Sequence, residues 1–311
     1  MYESPAHRAV LQHEAVQALA VRADGIYVDG TFGRGGHTSA ILDALGPSGR
    51  LFAIDQDPEA ACFARQRFQS DSRFCFTRAR FGQLAEVVAQ YKLTGYIHGI
   101  LLDLGVSSPQ LDNPQRGFSF AKDGPLDMRM NPAAGITASD WLASAVEDEI
   151  SRIFKEFGEE RYHRRIARAI VKARAVAPLV TTLQLAQIIA SSIPIRERGK
   201  HPATRCFQAL RIFINKELEE LQAALGQSLD VLAAHGRLVV ISFHSLEDRL
   251  VKRFMRNHAK GFDFPPELPI PVAQSGATLR LIGSALRPSM QEKNSNPRAR
   301  SAVMRVAERL S

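Results

Sequence analysis

The first third of the sequence alternates short, continuously apolar runs with segments of mixed polarity. Runs of this kind occupy residues 25–29, 50–55, 73–77 and 97–104. Strands that are apolar at nearly every position are buried on both faces, which is typical of a parallel sheet covered by helices on either side. The pattern therefore predicts the α/β fold class, with a doubly wound, mostly parallel sheet.

The pattern changes at about Gln110. Residues 113–135 are rich in Pro, Gly and Asp and predict a long loop. Apolar positions between 139 and 224 recur at helical spacing, with little strand character. This part of the chain is predicted to be mainly helical.

Strand-like runs return in the last part of the chain, at residues 236–243, 279–282 and 302–307. The simplest organisation that uses them is one α/β domain interrupted by an inserted helical domain. Its three segments are residues 1–112, 113–225 and 226–311.

A glycine-rich segment at residues 29–37 joins the first apolar run to a predicted helix. Glycines let the backbone turn sharply and approach a ligand closely, and the start of a helix offers free amides. Asp55 ends the next run, at about the 20-residue offset where an acid reaches ribose hydroxyls. Together these features predict a binding site for a nucleoside cofactor.

The sequence also narrows the choice of cofactor. Thr38 stands where the dinucleotide fingerprint needs its last glycine, and no P-loop motif is present. S-adenosylmethionine, which has ribose hydroxyls but no phosphate, is the remaining common ligand. Asp103 and Gln110 follow the fourth run and are candidates to hold its amino-acid portion or its adenine edge; a strand-end cap with a turn at Pro109 is the alternative.

Composition adds a partner and a compartment to this prediction. The formal net charge is +8, which favours a polyanionic partner, and nucleic acid before membrane. Three scattered cysteines with no CxxC pair argue against disulfides and a structural zinc, so no metal is predicted. The start is polar and no apolar run could span a bilayer, so we expect no signal peptide and a cytoplasmic location.

Several segments of the chain carry a resemblance to one family. They lie at residues 29–37, 102–112, 116–120, 123–130, 201–205, 241–249 and 296–301. In these segments the sequence resembles the bacterial ribosomal RNA small subunit methyltransferase H family (MraW), and the similarity covers essentially the whole chain. The resemblance implies a Rossmann-like class I S-adenosylmethionine-dependent methyltransferase domain with an inserted helical domain that recognises RNA.

The activity implied by the resemblance is N4 methylation of a specific cytidine in 16S rRNA, in the decoding region near the P site. The implied partner is 16S rRNA within the small ribosomal subunit, with isolated RNA and a homodimer both left open. The cofactor-binding candidates are Gly33, Gly35, Gly36, His37, Asp55, Phe81, Asp103 and Gln110. Among them, Phe81 would be taken for a core residue without the resemblance.

The loop after the fourth run departs from the [DNS]-P-P-[YFW] pattern usual in amino-group methyltransferases. It reads Ser107-Ser108-Pro109-Gln110 and has no aromatic residue, so the stacking of the target base stays open. A cytosine amine is a weak nucleophile, and positioning has to supply most of the rate. The catalytic candidates are therefore Asp103 and the loop carbonyls around Ser107, Ser108 and Pro109. Cys206, outside any Pro-Cys loop, is interpreted as structural, which favours an amine target.

Basic residues supply the candidate substrate contacts. Arg161, Arg164, Arg165, Arg168 and Lys172 recur at helical spacing and predict a cationic stripe that neutralises RNA phosphates. A solvated face balanced by Glu159 and Glu160 is the alternative. Further substrate-binding candidates are Arg129 beside Asp127, His201, Arg205, Arg298 and Arg300.

His244 follows the strand-like run at 236–243 and is the last catalytic candidate. It either orients the base or a phosphate, or caps the turn with Ser245.

Three rival functions are weaker. A methyltransferase for protein or small molecules does not explain the basic insert, and competition by RNA would separate the two. An RNA-binding assembly factor with a vestigial site does not explain an intact glycine loop with Asp55 and Asp103; tight S-adenosylmethionine binding would count against it. An oxidoreductase lacks its dinucleotide fingerprint.

Overall fold

The computed structural model describes residues 9–195, 199, 201–261 and 276–310. The chain divides into two compact units. The sheet unit comprises Met1–Gly105 and Leu218–Ser311, and the helical unit comprises Val106–Glu217.

Within its described residues, the sheet unit contains seven strands. They are β1 (Ile26–Asp29), β2 (Arg50–Asp55), β3 (Phe74–Arg78), β4 (Ile97–Asp103), β5 (Leu232–Ser242), β6 (Leu279–Leu281) and β7 (Val303–Arg309). The strand order is β3-β2-β1-β4-β5-β7-β6. Strands β1 to β5 are parallel, whereas β7 is antiparallel to both β5 and β6. The predicted α/β class with a mostly parallel sheet is confirmed.

Helices cover both faces of this sheet. They are α1 (Gln12–Leu19), α2 (Gly36–Ala44), α3 (Pro58–Phe68), α4 (Leu84–Gln90), α11 (Glu217–Val231), α12 (Ser245–Lys260) and α13 (Met290–Ser295). Along β4, Ile100 and Leu102 pack in a cluster with α4, α11 and α12, while Leu101 packs in a second cluster with α1, α2 and α3. This alternation explains why the strands read as continuously apolar.

The helical unit is built from α5 (Ser108–Asp112), α6 (Ala138–Ser144), α7 (Glu147–Glu156), α8 (His163–Arg174), α9 (Thr182–Ser192) and α10 (Thr204–Asn215). Its core includes Trp141, Phe154 and Leu210. The predicted loop at 113–135 contains only a short 3-10 turn at Pro114–Arg116 and an isolated bridge from Pro125 to Thr181. Residues 108–112, expected to be part of a loop, form a helical turn instead, with Pro109 in its first turn.

The boundaries between the two units lie at 105/106 and 217/218, a few residues before the predicted domain boundaries at 112/113 and 225/226. The second difference has a clear cause. Leu221, Ala224 and Leu225 of α11 are fully buried in the sheet core with Leu238 and Val251, so this helix belongs with the sheet. The domain assignment itself stays a prediction. In the described ranges, no helix combines the length and the apolarity needed to cross a membrane.

Candidate functional site

Three aspartates end three neighbouring parallel strands. Asp29 ends β1, Asp55 ends β2 and Asp103 ends β4. The strand order reverses between β1 and β4, and ligands of open α/β sheets bind outside the carboxyl ends of strands at such a switch point. We call these three residues and the loop at 29–37 the carboxylate edge.

Backbone hydrogen bonds hold the loop of the carboxylate edge in place. The Gly30 amide donates to the Leu101 carbonyl at 2.9 Å, and the Phe32 amide donates to the Ile54 carbonyl at 3.0 Å. The Asp103 amide donates to Thr31 Oγ1 at 2.6 Å. The loop is thus tied to both neighbouring strands.

The glycines of the loop are required by close packing. A Cβ at Gly30 would lie 2.5 Å from the Leu102 side chain, and one at Gly35 would lie 2.6 Å from Phe68. Gly35 also has φ +66°, in the left-handed region that favours glycine. Gly33, with φ +54°, precedes it, and Gly36 begins α2.

Asp55 also holds the glycine-rich loop in place. Its Oδ2 accepts a hydrogen bond from the Gly33 amide at 2.8 Å, and its Oδ1 accepts one from the Asp57 amide at 2.9 Å. Burial raises the pKa of Asp55 to about 6, although both amides act in the opposite direction. Each carboxylate oxygen can accept a second bond, so Asp55 can still receive hydroxyl donors.

His37 and Asp103 form a pair between the first turn of α2 and the end of β4. His37 Nε2 lies 3.4 Å from Asp103 Oδ2, and the His37 side chain is only 5% exposed. Burial disfavours the imidazolium, but the neighbouring Asp103 carboxylate outweighs it and raises the pKa of His37. Within the described chain, His37 Nδ1 and Asp103 Oδ1 are buried and make no hydrogen bond.

Asp29 is a residue that the sequence interpretation missed. It is 1% exposed, accepts hydrogen bonds from Thr38 Oγ1 at 2.7 Å and from the Thr31 amide at 3.2 Å, and so joins the loop to α2. Burial raises the pKa of Asp29. Its signal in the sequence is an acid directly between an apolar run and a glycine.

Phe81 lies in a 3-10 turn at Phe81–Gln83, and its Cβ is 3.8 Å from where a Cβ on Gly30 would stand. Two residues of α11 hold this turn. Glu220 accepts hydrogen bonds from the Gly82 amide at 3.1 Å and from Arg80 Nη1 at 3.2 Å. Gln227 donates to the Gly82 carbonyl at 2.6 Å. The sequence interpretation missed both α11 residues, because nothing local marks a contact across more than a hundred positions.

The carboxylate edge fits S-adenosylmethionine. Its charges are mainly carboxylates, which favour a cationic sulfonium and ammonium over a phosphate. The glycine cradle leaves room for close approach, Asp55 can accept ribose hydroxyls, and the buried polar atoms of His37 and Asp103 need partners.

His244 is the N-cap residue of α12 and is 8% exposed. Its Nδ1 accepts from the Glu247 amide at 3.4 Å, and its Nε2 lies 2.9 Å from Glu247 Oε1. These contacts give His244 the capping role that the sequence left as one of two alternatives. A catalytic role stays a prediction.

Arg298 and Arg300 lie at the same edge of the sheet as the aspartates. They belong to a 3-10 turn at Pro297–Ser301, just before β7. Because β7 is antiparallel to β5, with Val303 opposite Ser242, this turn is brought to the carboxyl end of β5. Arg300 is exposed.

The remaining loop candidates belong to the helical unit. Gln110 is 5% exposed, and its Oε1 accepts a hydrogen bond from the Ser107 amide at 2.9 Å, which caps α5. Ser108 and Pro109 form the first turn of that helix. That Ser107, Ser108, Pro109 and Gln110 share a site with Asp103 stays a prediction.

Arg129 forms a bidentate pair with Asp127, with Nε–Oδ1 and Nη2–Oδ2 distances of 2.8 Å. The pKa of Asp127 is lowered because the Arg129 hydrogen bonds outweigh burial. The charge of Arg129 is therefore largely neutralised.

Arg161, Arg164, Arg165, Arg168 and Lys172, which we call the α8 stripe, are basic residues along the exposed side of α8 and the turn before it. The opposite face of α8 buries Ile166, Ala167 and Ile170. The predicted cationic face exists, with Arg168 79% exposed and 3.6 Å from Glu147. Glu160 is not part of this exposed face, because it is buried and accepts from the Tyr162 amide.

His201 and Arg205 have structural contacts. His201 Nδ1 accepts from the Ala203 amide at 3.2 Å, and Arg205 Nη1 donates to the Glu159 carbonyl at 3.2 Å. Cys206 is fully buried, which raises the pKa of its thiol and fits the structural interpretation. The described residues contain no cluster of side chains suited to a metal ion.

Comparison with known proteins covers the whole chain. The sequence model of the MraW methylase family matches residues 4–310. A protein of Thioalkalivibrio sulfidiphilus named ribosomal RNA small subunit methyltransferase H is 60% identical over 309 residues, covering 99% of this chain and 98% of its own. The protein of the same name from Nitrosococcus oceani is 55% identical over 308 residues, with 99% and 98% covered.

Among solved structures, an rRNA methylase from Streptococcus thermophilus is similar at 12% identity with a TM-score of 0.44, over 100% of this chain and 99% of that chain. At this level the structural likeness adds nothing to what the sequence relatives establish.

Proposed function

The chain belongs to the MraW methylase family, and we propose that it methylates the N4 amine of a cytidine in the 16S rRNA of the small ribosomal subunit. The observation that carries the proposal is the carboxylate edge, in a chain 60% identical to a relative named ribosomal RNA small subunit methyltransferase H. S-adenosylmethionine is the methyl donor. The proposed target lies in the decoding region near the P site. A ribosomal substrate also implies that the enzyme works in the cytoplasm.

Residues of the carboxylate edge, together with Phe81 and Gln110, are proposed to contact different parts of the methyl donor. Asp55 accepts from the ribose hydroxyls, the amides near Gly35 and Gly36 approach the ligand backbone, and Phe81 packs against the adenine. Asp103 and His37 face the charged methionine portion, and Gln110 contributes from α5. When bound, S-adenosylmethionine supplies an electrophilic methyl group on a sulfonium.

The chain's task in catalysis is to position the amine. The lone pair of cytosine N4 is delocalised into the ring, so an acceptor that hydrogen-bonds the amine makes it a better nucleophile. The proton that the methylated amine gives up passes to water. Carbonyl groups around Ser107, Ser108 and Pro109 are the acceptors we propose. Asp103 at the end of β4 and His244 just after β5 are the further groups that we propose to orient the base.

The RNA is held by phosphate contacts. The α8 stripe supplies exposed cations, and Arg300 supplies another at the edge where the base must arrive. A cytidine in folded RNA has to be swung out of its stack to reach the methyl group. Arg129, His201, Arg205 and Arg298 are the further contacts we propose.

The test is transfer of labelled methyl from S-adenosylmethionine to small subunits that lack the modification, followed by nucleoside analysis. We expect a single N4-methylated cytidine, and we expect assembled subunits and naked 16S rRNA to differ as substrates. A methyl group on a ring carbon, or transfer only to protein, would contradict the proposal. Light scattering of the purified chain tests separately whether it forms a homodimer, which the resemblance leaves open.

A further inference from the structure

An open cleft of about 220 Å³ lies in the sheet unit between α12 and the strands β6 and β7, away from the three aspartates. Lys252 and Arg256 of α12 line one side. Leu281, Ser284 and Arg305 line the other. A water molecule occupies roughly 30 Å³ in the liquid, so the cleft has room for a phosphate group.

The basic residues of this cleft differ in whether a neighbouring carboxylate compensates their charge. Arg305 is held by Asp248 through hydrogen bonds of 2.7 Å and 3.0 Å, so its charge is compensated and its side chain is fixed. Lys252 and Arg256 have no carboxylate within ion-pair distance among the residues that the structure describes. Among the described residues that line the cleft none is acidic, so this lining carries uncompensated positive charge.

The helix that lines one side of the cleft begins at the edge at which the substrate is expected. Helix α12 begins at Ser245, directly after β5, and Lys252 and Arg256 follow about 10 and 16 Å along it. Arg305 lies two positions into β7, just after the turn that carries exposed Arg300. Cations without a paired carboxylate in the described part of the chain therefore follow along α12, at Lys252 and Arg256, from the edge that carries exposed Arg300.

The cleft also has a partly exposed apolar part beside its positive charges. Leu281 is 44% exposed at the cleft, and Met255 and Val306 are further apolar residues of its lining. A ribose and its phosphate offer an apolar face and an anion to such a surface, whereas a free anion has no use for the apolar part.

We propose that this α12 cleft binds the phosphate backbone of the RNA substrate, at a nucleotide flanking the one that is methylated. The inference rests on the proposed function, because it takes RNA as the substrate. It assigns Lys252 and Arg256 as phosphate contacts that neither the motifs nor the carboxylate edge include. Each is a positioning residue, since it contacts the RNA at a place distant from the reacting atoms.

The experiment compares two arginines of one helix. Arg256→Gln removes a charge that lines the cleft, and Arg253→Gln removes an exposed charge that does not. Binding of unmodified small subunits is measured without cofactor, across a range of salt concentrations. We expect Arg256→Gln to weaken binding about threefold, the double variant Lys252→Gln/Arg256→Gln about tenfold, and Arg253→Gln by less than about twofold.

Two further readouts separate the cleft from a general charge effect. The salt dependence of binding should fall by about 0.7–0.9 in slope for each phosphate that is no longer neutralised, and only in the cleft variants. The KM for subunits should rise in the double variant, while kcat and S-adenosylmethionine affinity stay at the values of the unmodified chain.

Equal losses of affinity in Arg256→Gln and Arg253→Gln would overturn the proposal. Unchanged subunit binding in the double variant would also overturn the proposal. A third contrary result would be that inorganic phosphate protects the chain against heat through Lys252 and Arg256 while RNA binding does not depend on these residues. If the unmodified chain binds subunits but transfers no methyl to them, the proposed reaction fails, and the binding comparison still decides the cleft.

Discussion

The carboxylate edge and the α8 stripe are both proposed to bind a charged ligand, but they are built differently. At the edge, Asp55 and Thr31 accept hydrogen bonds from backbone amides, and the glycines admit no side chain. On the stripe, the charges stand on long side chains over a buried helix face and have few fixed partners. A small cofactor requires preformed geometry, whereas phosphates along an RNA require charge more than exact placement.

This difference predicts that single changes at the edge are severe and that single changes on the stripe are mild. The largest effect is expected at Asp103. Asp103→Ala removes a partner of His37 and a group facing the donor, and should lower kcat/KM by about a hundredfold or more. Labelled-methyl transfer measures it, with thermal unfolding as the control for a folded variant. Full activity would remove Asp103 from the site.

Gly35→Ala is expected to come next. Its Cβ would meet Phe68 at 2.6 Å and Phe32 at 2.9 Å, on a backbone with φ +66°. We expect a loss of about 1–3 kcal/mol in unfolding free energy, together with S-adenosylmethionine binding at least tenfold weaker. Gly95→Ala is the matched control, because Gly95 also has positive φ, +81°, but nothing lies within 4 Å of its Cβ position. Calorimetric titration that finds the two variants equal would contradict the prediction.

The raised pKa of Asp55 makes the edge sensitive to acid. With a pKa of about 6, Asp55 loses its negative charge as pH falls from 7 to 5, and S-adenosylmethionine affinity should drop by up to about tenfold at pH 5. The sign for stability is opposite. The folded chain binds the proton more tightly than the unfolded one, so Asp55's own contribution to unfolding free energy rises as pH falls from about 6 towards 4.

Asp55→Asn should remove both of these pH dependences and weaken binding at pH 7. Binding isotherms and urea unfolding at several pH values test the pair. A variant that keeps the slope of the unmodified chain would assign the titration to another group.

A smaller effect is expected where α11 holds the Phe81 turn. Glu220→Gln keeps the shape but weakens the bonds to the Gly82 amide and Arg80, so the KM for S-adenosylmethionine should rise about fivefold with kcat little changed. Glu219→Gln, a neighbour on the same helix, is the control. A change in kcat alone would mean that Glu220 acts on the reaction rather than on cofactor binding.

The smallest effect is expected on the α8 stripe. Arg164→Gln should raise the KM for small subunits only about two- to threefold, because each exposed charge contributes one phosphate contact among several. Arg152→Gln, an exposed arginine of α7 already paired with Glu156 at 3.0 Å, makes the same charge change and should do less. An effect of Arg164→Gln as large as that of Asp103→Ala would break the comparison.

The same contrast explains how far the sequence could be interpreted. The loop at 29–37 and Asp55 act through local spacing, so the pattern alone predicted a nucleoside site there. The bonds from Glu220 and Gln227 to Gly82 join positions far apart in sequence, and no local pattern marks them. The sequence also could not show that α11 packs with the sheet, because helical spacing is the same whether a helix packs on helices or on a sheet.

The placement of Arg300 was also beyond local pattern. Apolar alternation predicted the strand that became β7 but not its antiparallel direction, which decides the end of the sheet that Arg300 occupies. Capping by His244 was one of two alternatives that the sequence allowed; the contacts to Glu247 show the cap, and the role in orienting the base stays a prediction.

The late position of β7 in the chain has a consequence for biosynthesis. Synthesis proceeds from the N-terminus, and β5 and β6 are both made before the strand that lies between them. Until then β6 lacks its described partner, and the buried stretch Leu238, Val239, Val240 and Ile241 of β5 presents an unpaired edge. Such an edge is prone to pair with other chains, so the nascent sheet is open to aggregation until β7 takes its place between β5 and β6.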